Sequence, residues 1–148
     1  MNSLFNTSFE ISMRVLLTLL VNNCREMNID TITAIDFMTI YASDFGIADY
    51  NLHGNNIFNF SEYAARRALV QDSLKELVLM NLIDVRQTND GFLYGLNARG
   101  KDVCDRFSSD YAADYISLAY EVSEFVAGKS DTELVNLINE TGRFSKRG

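Results

Sequence analysis

The sequence predicts a mainly α-helical fold with one small β-hairpin. The chain of 148 residues contains no proline, the residue that most strongly interrupts helices. Apolar residues recur at helical spacing over most of the chain, and an Asp-Gly pair at 90–91 separates two short strand-like runs. Asp-Gly is among the strongest short-range hairpin signals. With 47% apolar residues, a chain of this length can bury a hydrophobic core without disulfides or a metal.

Two helices are predicted in the first third of the chain. Thr7 and Glu10 have the spacing of a capping box, in which both side chains satisfy free backbone N–H groups, and they predict the start of the first helix. The second helix is expected to begin at Asp30 or Thr31, either of which can cap it, and to end before Gly46. Residues 51–59 are then predicted to form a loop.

A third helix and the hairpin follow. Ser61 can cap a helix whose apolar stripe runs to Leu79 or Met80. After that helix the hydrophobic period changes, and strands are predicted at 83–87 and 92–96. The residues between them are expected to form a tight turn.

The last third of the chain is predicted to be helical. Asn97 can cap a fourth helix of about ten residues, and three helices, a hairpin and a further helix are the order of a winged helix-turn-helix domain, which we assign to residues 1–109. Residues 110–148 are expected to form C-terminal helices that pack on this domain or extend it, with a basic tail. A capping box at Ser130 predicts the last helix, which Gly142 is expected to stop.

The longer C-terminal helix carries an apolar seam. Its spacings alternate between four and three residues, which is typical of a helix that packs lengthwise on another helix. The seam consists of Tyr111, Tyr115, Leu118, Val122 and Phe125. Because this helix is acidic and aromatic residues favour interface cores, Tyr111, Tyr115 and Phe125 are candidates for contact with a partner protein. Packing inside the domain is the alternative.

The charge balance argues against a nucleic-acid-binding module. The chain has 13 Lys and Arg against 20 Asp and Glu, a formal charge of −7. Residues 61–96, the predicted third helix and hairpin, hold four basic and five acidic residues, a balance of −1. Such a surface gains little affinity from the release of counterions from phosphates. No apolar run is long enough to span a bilayer, and with no basic leader segment the protein is expected in the cytoplasm, away from membranes.

No catalytic constellation is evident from the sequence. His53 is the only histidine, and no nucleophile motif accompanies it. Residues 95–101 have the glycine and lysine spacing of a phosphate-binding loop, but Asp102 stands where that mechanism needs a hydroxyl for Mg²⁺. The two cysteines lie far apart without a CxxC pattern. We therefore expect no enzymatic activity, no small-molecule substrate, no metal and no cofactor.

Arg66 and Arg67 are the main candidates for a binding role, because winged-helix domains that bind DNA place their third helix in the major groove. Three interpretations stay open. Arg66 can pair with Glu62 one helical turn away while a neighbouring carboxylate holds Arg67; the two arginines can contact a protein partner; or they can contact DNA. In the last case Lys75 and Arg86 would contribute as well.

Several short motifs together resemble the middle component of ABC three-component systems, over about residues 3–120. They are the run 3–11, Ile35-Asp36-Phe37, Asp44-Phe45-Gly46, Leu52-His53-Gly54-Asn55-Asn56, Phe60-Ser61-Glu62 with Arg66-Arg67, and Gly91-Phe92-Leu93-Tyr94. These bacterial systems, which include the Lamassu type of anti-phage defence, combine an SMC- or Rad50-like ABC ATPase, a small middle protein and a variable effector, often a nuclease.

The resemblance implies a winged-helix adaptor without catalytic residues. Its expected partners are the SMC/Rad50-like ATPase and the effector, with DNA reached only indirectly through the complex. The alternative is a winged-helix transcriptional regulator that binds DNA through its third helix and hairpin. A regulator would normally carry a basic stripe on that helix, whereas an acidic adaptor does not need one.

Overall fold

A computed structural model describes residues 7–54 and 60–147 of the chain. In chain order the elements are α1 (Ser8–Val21), α2 (Ile29–Ile40), α3 (Phe60–Leu79), β1 (Ile83–Thr88), β2 (Gly91–Leu96), α4 (Ala98–Cys104), α5 (Asp110–Val126) and α6 (Asp131–Arg147). The described part of the chain is therefore mainly α-helical with one antiparallel hairpin, as the sequence predicts. Three helices, a hairpin and a helix follow one another in the order of a winged-helix domain.

The starts of the first three helices agree with the sequence to different degrees. The Thr7 hydroxyl accepts a hydrogen bond from the Glu10 N–H at 3.2 Å, which confirms the predicted cap of α1. The cap of α2 is Asn28, whose Oδ1 accepts from the Thr31 N–H at 2.8 Å, so the prediction of Asp30 or Thr31 was wrong by two or three residues. α3 already includes Ser61, which therefore lies inside the helix and is not its cap.

The hairpin pairs Ile83 with Leu96 and Thr88 with Gly91, so each strand is one residue longer at the turn than predicted. Gly91 has a φ of +115°, a backbone conformation that residues other than glycine rarely adopt. This conformation allows the chain to reverse in a two-residue loop. The loop before α3 is predicted at residues 51–59, and its residues 55–59 lie outside the described residues.

α4 begins at the predicted cap, since Asn97 Oδ1 accepts from the Gly100 N–H at 2.8 Å. The helix ends at Cys104 and is shorter than predicted. Gly100 packs against the connection between α3 and β1: a Cβ added there would lie 2.1 Å from the Leu82 carbonyl oxygen. Gly100, the second glycine of the phosphate-loop-like run, is thus required for close packing of α4.

The C-terminal helices contribute to the same hydrophobic cluster as the first three helices. α5 packs on α1 and α2. Residues from both C-terminal helices that lie in this cluster include Tyr115, Ala119, Val122, Leu134 and Ile138. The domain boundary that the sequence places between residues 109 and 110 stays a prediction.

The start of α6 has the predicted capping box. Glu133 accepts from the Ser130 N–H at 2.9 Å, and the Ser130 hydroxyl accepts from the Glu133 N–H at 3.2 Å. Asp131 accepts hydrogen bonds from Asn28 and Thr31, which ties α6 to the start of α2. Gly142 does not stop the helix, which continues to Arg147, because a single glycine lowers helix stability by only about 1 kcal/mol. The predicted basic tail therefore lies within α6.

Candidate functional site

A charged pair lies buried at the centre of the molecule. Arg14 of α1 donates from Nε to Oδ1 of Asp36 of α2 at 2.9 Å, and both side chains are almost completely inaccessible to solvent. The Tyr115 hydroxyl of α5 donates to the same carboxylate oxygen at 2.8 Å. Three helices are thus joined through one carboxylate.

Arg66 of α3 extends this network. Its guanidinium lies 3.7 Å from Asp36 Oδ2 and 3.4 Å from Glu62 Oε2, and it stands 5.7 Å from the centre of the Phe37 ring. Only 5% of the side chain is exposed. The Glu62–Arg66 pair foreseen as one interpretation is therefore present, but the arginine also reaches a carboxylate on another helix.

The surroundings of Asp36 and Arg14 favour the charged form of each. Burial opposes the charged form of Asp36, but the charges of Arg14 and Arg66 and the hydrogen bonds from Arg14 and Tyr115 lower the pKa of this carboxyl below its usual range. Burial likewise opposes the charge of Arg14, but the Asp36 carboxylate together with Tyr111 and Tyr115 raises the pKa of the guanidinium. A buried group that loses such a partner is left with an uncompensated charge.

His53 joins the loop after α2 to this network. Its Nε2 lies 2.5 Å from the Tyr111 hydroxyl oxygen, and the two rings stack with centroids 5.7 Å apart. Arg14 also donates to that hydroxyl at 3.4 Å. Burial, followed by the charges of Arg14 and Arg66, lowers the pKa of His53 to about 3. The imidazole is therefore neutral near pH 7, and Tyr111 is half-buried between it and α1.

The basic residues predicted for DNA contact have different environments. Arg67 Nε lies 2.7 Å from Asp30 Oδ1, with both side chains about two-fifths exposed. Arg86 on β1 makes a bidentate contact with Glu26, at 2.7 Å from Nη2 and 3.1 Å from Nε. Lys75 is exposed on α3. Like Arg66, both Arg67 and Arg86 are thus neutralised by carboxylates of the same chain.

The aromatic residues of α5 are divided between core and surface. Tyr115 is fully buried and Tyr111 half-buried, whereas 39% of Phe125 is exposed, with Lys129 Nζ 5.4 Å from its ring centre. Sequence reasoning missed Tyr120, of which 54% is exposed, because the seam spacing selects the residues that face the core. Of the three predicted contact residues, only Phe125 offers substantial surface to a partner.

Residues 7–54 and 60–147 contain no group of three or more His, Cys, Asp or Glu side chains placed to hold a metal ion. Cys24 and Cys104 are both free thiols. No helix among those that the structure describes is long and apolar enough to cross a membrane.

Comparison with known proteins gives one family match. The family model of the ABC-three component system Middle Component 2 matches residues 4–147. The chain belongs to this family. The match runs from residue 4 to residue 147, includes the C-terminal helices, and confirms the resemblance found in the sequence motifs. No curated protein and no solved structure was found to match. Membership implies interaction with the other components of such a system.

Proposed function

We propose that this middle component is a non-catalytic adaptor of a bacterial anti-phage defence complex of the Lamassu type. In this proposal it links an SMC- or Rad50-like ABC ATPase to an effector, often a nuclease, in the cytoplasm. The observation that carries the proposal is the match of the Middle Component 2 family model to residues 4–147, and the pairing of Arg66, Arg67 and Arg86 with carboxylates of their own chain supports it. These ion pairs leave the third helix and the hairpin with few uncompensated cations to contact DNA phosphates.

The pairing weighs against the alternative of a transcriptional regulator. Affinity for duplex DNA comes largely from cations that replace counterions on phosphates. A cation already held by a carboxylate must break that contact first. A single lysine, Lys75, provides little electrostatic attraction to DNA phosphates. In this proposal DNA is therefore reached only indirectly, through the complex.

The side chains that superficially suggest catalysis also support a structural role. His53 is neutral and hydrogen-bonded to Tyr111, and a general base must instead be positioned to accept a proton from a nucleophile or substrate. Gly100 serves close helix packing, and Asp102 next to Lys101 would repel phosphate. We therefore propose that the middle component turns over no nucleotide.

Co-purification tests the adaptor role. The tagged chain is expressed together with the genes that neighbour it in its native operon, purified at physiological salt and passed over a size-exclusion column. We expect an ABC ATPase and an effector to elute with it at fixed stoichiometry, identified by mass spectrometry. Elution of the chain on its own would contradict the proposal.

DNA binding tests the alternative. We expect the purified chain to show no sub-micromolar affinity for a fluorescent duplex at physiological salt. A Glu26→Ala, Asp30→Ala variant serves as a positive comparison, because it frees Arg86 and Arg67 and should bind more tightly than the wild type at low salt. Sub-micromolar binding by the wild type would favour the regulator instead.

A further inference from the structure

We draw no further inference here: the strongest candidate, the surface patch of exposed apolar side chains at the end of α3 and on the hairpin, Leu79, Met80, Val85 and Phe92, carries no proposal, because nothing in the described part of the chain shows what covers it.

Discussion

Replacement of Asp36 by Asn tests whether the buried charge network holds the fold together. The substitution keeps the shape of the side chain and removes its charge. It leaves two guanidinium groups, those of Arg14 and Arg66, beside a neutral amide in a nearly inaccessible site. Removing one partner from a buried ion pair costs about 3–5 kcal/mol. For a protein of this size each kcal/mol lowers Tm by about 2–4 °C, so we expect a decrease of about 6–20 °C.

Asp30→Asn is the matched control. It makes the same chemical change in the Asp30–Arg67 pair, where nitrogen and oxygen lie 2.7 Å apart but both side chains are about two-fifths exposed. Exposed ion pairs of this kind contribute about 0.2–1 kcal/mol. The control pair is shorter than the 2.9 Å Arg14–Asp36 contact, so a larger effect at Asp36 comes from its burial and its additional partners, Arg66 and Tyr115, rather than from distance.

The pH dependence gives a second readout of the same variant. The pKa of Asp36 is lowered in the folded protein, so its contribution to stability is present above the unfolded value of about 3.9 and is lost as the pH falls through the folded pKa. The difference in the free energy of unfolding between wild type and Asp36→Asn should therefore shrink in acid. Thermal melts by circular dichroism from pH 7 to pH 2 measure this. A loss at Asp36 no larger than that at Asp30 would refute the reasoning.

Three further predictions concern single residues. Burial lowers the pKa of His53 in the folded protein to about 3, whereas the unfolded value is about 6.5. As the pH falls from about 6.5 towards 3, the free energy of unfolding should therefore decrease by up to about 1.4 kcal/mol per pH unit. His53→Gln should lack this slope in urea titrations. Gly100→Ala, where an added methyl group would meet a carbonyl oxygen at 2.1 Å, should destabilise by about 1–3 kcal/mol, whereas Gly95→Ala, which meets a flexible side chain at 3.4 Å, should lower the urea midpoint far less. Arg66→Ala should lower Tm much more than Arg67→Ala, since only Arg66 is buried; equal melting temperatures would contradict this.

Local features of the fold could be predicted because their signals lie within a few residues of one another. The caps at Thr7, Asn97 and Ser130 each join a side chain to a backbone N–H three residues on. The same locality explains the errors. Several residues near the start of α2 can cap it, and Asn28 does so while Asp30 is taken by Arg67.

The candidate site depended on contacts that no local pattern contains. Arg14 and Asp36 are 22 positions apart, and Tyr115 is 79 positions from Asp36. Neither Arg14 nor Asp36 was a candidate site residue in the sequence, because an isolated charged residue in an apolar helix does not indicate its partner. Tyr120 was missed because the seam spacing selects residues that face the core, whereas 54% of this side chain is exposed.

The sequence by itself determined the mainly helical class, the hairpin, the caps of α1, α4 and α6 and the resemblance to the middle-component family. These follow from spacing, from turn chemistry and from short motifs, all of which act over a few residues. The tertiary structure alone decided which charges are buried and which are exposed. Arg66 and Arg67 are neighbours in the chain, yet one lies in the core and the other on the surface. Successive helical residues point about 100° apart, and only the packing of α2 against α3 determines which of the two directions is the interior.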